Sequence, residues 1–288
     1  MDWINAIIQG VLLGGLYALF AAGLSLMFGV MRFVNIAHGD FIVMGAYGAL
    51  LVVSLTGIHP LWTLVLVVPG MAALGYLGQR LLLNRTLGDD ILPPLLVTFG
   101  FSIIIQNVLL ELFSADSQKL QAGWIETASI PLAGGLSVGV MPLLIFASAL
   151  AVIAGLQAFF YRTALGRVLR ATSDDADTVR LMGADNANVF AIATAIASAV
   201  VGIAGVYLAI RTNFDPAVGP ARLLYAFEAV IIGGLGNLWG TLAGGIILGV
   251  SQAIGAQIDP GYQILAGHLA FLIVLVLRPQ GLFPKMKG

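Results

Sequence analysis

Two ionisable residues fall well inside long apolar runs of the last third of the sequence: Glu228, and His268 forty positions later. An ionisable group inside a lipid bilayer is costly and faces a bundle interior or a wet cavity. Such a pair could relay protons or contact a substrate ammonium. It could also pin helices together through a hydrogen bond. A second polar constellation, Asn35, His38 and Asp40, lies early in the chain, with Gly39 at a point where a helix could break. Those residues could line a path, or Asn35 and His38 could cap the helix that follows, at its cytoplasmic end. Gln106 and Asn107 sit in a stretch otherwise apolar until Glu111 and are further candidates for a path. His59 and His268 are the other two histidines, and neither shares a helix with His38. With no cysteine in the chain, disulfides and thiolate metal centres are excluded.

The third constellation is a charged segment, residues 161–187, with four arginines at Arg162, Arg167, Arg170 and Arg180. Two short helical stretches fit it, hinged at Thr172-Ser173-Asp174, where Ser or Asp can cap the second. The aspartates up to Asp177 stand where a helix N-terminus favours negative charge. Gly183 occupies the place of a C-terminal cap. A capped, mildly amphipathic helix on a membrane surface suits a lever that another protein pushes. A basic loop that only sets topology is the competing reading.

The elements that position these groups follow from composition. Of the 288 residues, 59% are hydrophobic and 9% charged, against about 25% charged in soluble domains. Most of the surface must therefore face something apolar. The net charge of −1 carries no signal for nucleic acid. Residues between Asp2 and Arg32 include no Asp, Glu, Lys or Arg, enough for one crossing of about 20 residues. The opening Met-Asp-Trp-Ile-Asn lacks a basic n-region, so this first run is expected to stay as a transmembrane helix. The charge-free stretch from Asp40 to Arg80 is long enough for a hairpin turning at Gly57-Ile58-His59-Pro60. Further spans are predicted near 92–113, 140–160, 188–210, 223–237, 239–257 and 262–278. The piece from Leu223 to Asn237 is short enough to be re-entrant or broken. The expectation is an all-α polytopic bundle of eight to ten spans forming one transmembrane domain over 1–288.

Basic residues orient it. With nine crossings, Arg32, Arg80, Arg85, Arg162, Arg167, Arg170, Arg180, Arg278, Lys285 and Lys287 fall on one side, and Lys119, Arg211 and Arg222 on the other. The basic excess marks the cytoplasmic face. That places the N-terminus outside, and the 161–187 loop and the C-terminus inside. The external segment 114–139, with Lys119, Trp124 and Glu126, and the stretch from Arg211 to Arg222 are either solvated loops or docking surfaces. Glycine, present 36 times, recurs at four-residue spacing in Gly10 and Gly14, in Gly236, Gly240 and Gly244, and in Gly245 and Gly249. Small residues at that spacing let helices approach closely in lipid. They could also form faces that slide during a conformational cycle.

Four segments carry a family resemblance. Asp177-Thr178-Val179-Arg180-Leu181-Met182-Gly183 is similar in spacing to the Glu-Ala-Ala-x-x-x-Gly motif of ABC importer permeases, with both alanines replaced. Asn35-Ile36-Ala37-His38-Gly39-Asp40, continuing to Gly45-Ala46-Tyr47, resembles a signature of branched-chain amino-acid permeases. Gly233-Gly234-Leu235-Gly236-Asn237 with Gly240, and Arg278-Pro279-Gln280-Gly281-Leu282-Phe283, resemble two more segments of that family. Size and order of features are similar to its LivH-type subunit along the whole chain. The resemblance implies a LivM-type permease partner, two cytoplasmic ATPase subunits that use the ATP, and an extracytoplasmic binding protein. It implies residence in the bacterial cytoplasmic membrane. It implies ATPase coupling through Arg167, Arg170, Asp177, Arg180 and Gly183. The expected cargo is a branched-chain or other small hydrophobic amino acid; urea, short amides and aromatic acids belong to the same resemblance, and a proton-coupled carrier is the alternative from outside it. A Walker A loop needs Gly-x-x-x-x-Gly-Lys, and none of Lys119, Lys285 and Lys287 follows a glycine. No clustered catalytic set, cofactor site or metal site is read from the chain.

Overall fold

The computed structural model describes residues 2–88, 92–131 and 136–283; Lys285 and Lys287 lie outside them. Among these residues, twelve α-helices account for most of the chain. They are α1 (Asp2–Met31), α2 (His38–Thr56), α3 (Leu64–Leu81), α4 (Leu92–Phe113), α5 (Trp124–Thr127), α6 (Val140–Arg162), α7 (Ala164–Asp174), α8 (Ala176–Leu181), α9 (Asn186–Arg211), α10 (Gly219–Gly233), α11 (Leu238–Ile258) and α12 (Tyr262–Leu277). A small antiparallel ribbon, β1 (Ser129–Pro131) with β2 (Ser137–Gly139), folds within the predicted external segment. Seven helical segments are long and apolar enough to cross a membrane, and α12 is a shorter apolar helix. The hairpin expected between Asp40 and Arg80 is formed by α2 and α3, with Gly57 in the left-handed conformation closing α2.

Helix α10 has 15 residues, about 22 Å at 1.5 Å per residue. A hydrocarbon core is about 30 Å thick, so α10 cannot cross alone. It runs without interruption from Gly219 to Gly233, and the break expected within this region comes after it, at Gly234–Asn237.

Helices α1 and α9 form the centre. The apolar window of α1 is 83% buried, against 17% for that of α4 and 22% for that of the α3 segment. Around them, α11, α6 and α10 pack on α1, and α3 and α2 pack on α9. The outer helices leave broad apolar faces uncovered, with Leu55, Leu66, Leu96, Ile104, Leu112 and Val276 exposed. In lipid that costs nothing. The glycine rows are packing surfaces: a methyl group on Gly14 would lie 2.5 Å from the backbone of Ile246, and one on Gly249 would lie 2.3 Å from the Gly10 carbonyl oxygen. Without a hydrophobic force between helices in lipid, such close approach supplies the dispersion energy that joins α1 to α11.

Polar contacts tie the helices together at both ends of the bundle. At one end Arg32 Nη2 donates to Ser173 O at 2.9 Å, Arg80 pairs with Asp185 at 3.8 Å, and Asn237 Nδ2 donates to Phe283 O at 2.8 Å. At the other end His59 contacts Ala122 O at 3.1 Å, Gln118 bridges Phe214, and Gln9 donates to Ser137 O at 3.1 Å. Arg222, assigned by sequence to an external loop, instead belongs to α10.

Candidate functional site

Three groups of polar side chains stand out, two within the bundle and one beneath it. The first is built where α2 begins. After α1 ends, residues 32–37 turn back along the bundle. Ile36 N donates to Thr98 Oγ1 at 3.2 Å, and Asn35 Oδ1 accepts from Ala37 N at 3.0 Å. His38, 1% exposed, directs Nε2 to the carbonyl of Phe20 at 2.7 Å. Phe20 belongs to the middle of α1, so His38 sits inside the bundle. The sequence had placed this constellation at the cytoplasmic boundary; the turn back along α1 moves it to mid-depth. Since a carbonyl can only accept, Nε2 carries the proton. Asn35 thus braces the turn before α2, while His38 ties α2 to α1 and caps nothing.

Asp40, also 1% exposed, accepts from Gln106 Nε2 at 3.0 Å, and Gln106 also donates to Ser102 Oγ at 3.1 Å. The start of α10 lies against it: a methyl group on Gly219 would fall 2.0 Å from Asp40 Oδ1, and one on Gly39 2.0 Å from the Gly219 carbonyl oxygen. Two helices therefore begin within the bundle, nose to nose, with a carboxylate between them. Irregular backbone at membrane depth is tolerated where protein or a cavity covers it. Beside Gln106, a cavity of 180 Å³ includes Asn107 and Asp215. Asn107 is exposed and returns its Nδ2 to Ile103 O at 2.8 Å.

The second group joins α1, α10, α11 and α12. Glu228, 1% exposed, is hydrogen-bonded through Oε1 to His268 Nδ1. The Tyr225 ring stacks on His268 with centroids 6.4 Å apart and lies 5.1 Å from the ring of Tyr17. Tyr17 Oη donates to Gln252 Oε1 at 2.6 Å. Glu228 Oε2, Gln252 Nε2, Arg222 Nε and Arg211 Nη1 are buried without a hydrogen-bond partner among the described residues. The structure thus joins Glu228 and His268, which sequence reasoning named separately, and adds Tyr17 and Gln252, which it missed. A tyrosine and a glutamine in separate apolar runs carry no local signal of meeting.

The third group is the charged segment. Helix α7 starts with Thr163 Oγ1 accepting from Gly166 N at 2.9 Å, and extends through Asp174, past the expected hinge. Asp175 is the cap of α8: its Oδ1 accepts from Asp177 N at 3.1 Å and Thr178 N at 3.0 Å. The Thr178 hydroxyl, followed by these amides, holds the Asp175 carboxyl below the usual carboxylate range. Gly183 follows α8 with φ of +90° and donates to Arg180 O at 3.0 Å, the left-handed exit that glycine suits. The buried residues Gly166, Leu169, Thr172 and Ser173 recur at helical spacing and turn one face of α7 onto the bundle. There Ser173 Oγ donates to Gly29 O, joining α7 to the end of α1. Arg170 stacks over Tyr161, its guanidinium carbon 4.4 Å from the ring centre. Arg167, Asp177 and Arg180 are exposed. Leu181 is 88% and Met182 82% exposed, two apolar side chains at the tip that the acid-to-glycine spacing did not single out.

No group of three or more His, Asp or Glu residues able to hold a metal occurs among the described residues. The architecture is that of a multi-pass membrane protein with two short helices packed at its basic end and two buried helix starts in its interior.

Comparison with known proteins gives this architecture a family. The model for the branched-chain amino acid transport system / permease component family matches residues 6–277. The chain is 28% identical to the high-affinity branched-chain amino acid transport system permease protein BraD of Pseudomonas aeruginosa, over 97% of this chain and 95% of BraD. It is 27% identical to the corresponding LivH protein of Salmonella typhimurium, with the same coverage. It is 24% identical to LivM of Escherichia coli, over 93% of this chain and 68% of LivM. Matched along nearly its whole length, the chain belongs to the branched-chain amino acid transport system permease components, on the LivH side of that family.

Proposed function

We propose that this chain is a membrane-spanning subunit of an ATP-driven importer for branched-chain or similarly small hydrophobic amino acids, resident in the bacterial cytoplasmic membrane. The names of its relatives support the cargo. The observation that carries the coupling is the attachment of α7 to α1. A push on α7 and α8 reaches the membrane-embedded core through Ser173 to Gly29 and Arg32 to Ser173, without passing through a flexible linker. Leu181 and Met182 at the tip are the apolar anchors that a cytoplasmic ATPase would cover, since exposed large apolar side chains outside the lipid zone mark docking surfaces. Arg167, Asp177 and Arg180 would rim that contact and set its orientation.

In this reading ATP is bound and hydrolysed by two separate subunits, and an extracytoplasmic protein delivers the amino acid. A second permease chain of LivM type completes the path. The external face built from 114–131 and 212–218 would receive the binding protein. The inward-facing polar groups around Asp40 and Gln106, and around Tyr17 and Glu228, hold the half-helices in place between conformations.

The test is energy source and cargo together. Proteoliposomes carrying this chain with the products of its neighbouring genes should accumulate leucine, isoleucine or valine when ATP is enclosed with the ATPase face. Accumulation driven by a proton gradient without ATP would refute the mechanism. ATP-dependent accumulation of urea in place of these amino acids would refute the cargo alone.

A further inference from the structure

A cavity of 540 Å³ opens at the basic end of the bundle, between α1, α6, α7 and the start of α11. The interior polar groups play no part in it, while the lever contact, Ser173 on Gly29, forms part of its wall. Three independent features on its wall offer hydrogen-bond donors without partners among the described residues. The first is the start of α11, a helix of 21 residues. Asn237 Oδ1 takes Gly240 N at 3.0 Å and Asn237 O takes Thr241 N at 2.8 Å. The amides of Leu238 and Trp239 are left without partners among the described residues. Free amides and the macrodipole together favour a negative group there.

The second feature is Arg170. Its stacking over Tyr161 fixes the guanidinium plane, and its Nε is buried without a partner among the described residues. A stacked, pre-oriented guanidinium suits two-point contact with a phosphate. The third is Ser25. It is 1% exposed, lines the same cavity, and its Oγ has no partner among the described residues. A helical serine commonly returns its hydroxyl to the preceding turn; this one does not.

The polar groups lie at two depths. Gly29 packs against Gly236, at the start of α11, with a methyl on either 3.3 Å from the other. Ser25 is one helical turn, about 6 Å, further along α1 towards the membrane interior. The rest of the wall is largely apolar, with Leu26, Val30, Phe160 and Leu169 beside Gln157. At the mouth, Tyr161 is 59% and Trp239 46% exposed, aromatic side chains of the kind that settle at the lipid–water boundary. A phospholipid presents the matching pair: an anionic phosphodiester at the boundary and ester carbonyls a few ångströms deeper.

We propose that this cavity binds the phosphodiester headgroup of an anionic phospholipid of the inner leaflet, with Arg170 and the start of α11 on the phosphate and Ser25 on an ester carbonyl. Basic pockets between helices on the cytoplasmic side take such headgroups. Because α7 forms one wall, the bound lipid links the lever to α1 and α11. The inference does not depend on the cargo.

Native mass spectrometry of the full-length chain, purified with its co-expressed neighbouring subunits and titrated with dioleoyl phosphatidylglycerol or dioleoyl phosphatidylcholine, tests it. Wild type should retain one phosphatidylglycerol in preference to phosphatidylcholine. Arg170→Ala should weaken that binding about tenfold, the loss of a charge-assisted pair, and Ser25→Ala about fivefold. Arg170→Lys, which keeps the charge without the fork, should fall between and serves if Arg170→Ala does not assemble. Arg85→Ala, exposed elsewhere on the basic end, should change nothing. Equal retention of the two lipids, or an Arg85→Ala loss as large as that of Arg170→Ala, would overturn the site. Displacement of the lipid by millimolar inorganic phosphate, with equal stabilisation of the chain, would show a phosphate site and overturn the lipid.

Discussion

Gly39 and Gly219 meet backbone to backbone, so that a methyl group on Gly39 would lie 2.0 Å from the carbonyl oxygen of Gly219. The contact joins the first turns of α2 and α10 inside the bundle, and Asp40 fills the space immediately beside it. Gly39→Ala should therefore force the two helix starts apart and cost about 1–3 kcal/mol. Gly48→Ala, on the same helix, meets only Val67 methyls at 3.8 Å and beyond, and should be neutral or stabilising by a few tenths of a kcal/mol. Thermal unfolding in detergent separates the two; equal melting temperatures would mean that the helix starts do not depend on this contact.

Glu228→Gln should retain most transport. An amide still hydrogen-bonds His268, and one carboxylate oxygen already lacks a partner among the described residues. Glu228→Ala should lower the yield of assembled protein, because it strips His268 of its partner in an apolar setting. Uptake assays normalised to membrane content decide between pinning and a charged role: abolished transport in a normally assembled Glu228→Gln variant excludes pinning.

At the lever tip, Leu181→Ser with Met182→Ser should leave insertion and folding intact, since both side chains point away from the protein. Uptake should fall at least tenfold, the loss of about 2 kcal/mol of apolar contact per large anchor. Co-purification of the ATPase subunits should fall with it. Normal uptake in this double variant would remove the tip from the coupling contact. Gly183→Trp is expected to give the same phenotype, by forcing a bulky residue into a left-handed turn.

Acid should loosen the external segment. Lys119, followed by the Ala122 amide, holds the Glu126 carboxyl below its ordinary range. A carboxyl depressed in the folded state contributes stability that is complete above its unfolded value, about 4.3. That contribution is lost as pH falls through the folded value. The pair is partly exposed, so its worth is at most about 1 kcal/mol. Proteolysis of the segment with an acid protease should accelerate below about pH 4.3 in wild type. Glu126→Gln should already be cleaved faster at pH 6 and should show no such acid step; identical profiles would dismiss the pair as a brace.

Much of this molecule could be read from its residues in order. Composition and long charge-free runs establish that it lives in lipid, because no packing arrangement can hide that much apolar surface from water. The arginines predict which end is cytoplasmic, because the bias is counted along the chain and needs no contacts. The glycine rows announce close helix contacts, and Gly183 marks a helix end by local backbone chemistry, whereas the cap of α8 is Asp175, one residue past the expected hinge. What tertiary structure alone decided is depth and partnership. His38 reads as a boundary residue beside Arg32, yet it bonds to Phe20 in mid-helix because residues 32–37 double back. Arg222 reads as a loop residue, yet α10 starts before it, inside the bundle. Tyr17 finds Gln252, and Ser25 shares a cavity with Arg170, across separations that no local pattern encodes. Propensity, capping and hydropathy act over a few residues, whereas these positions follow from how whole helices pack.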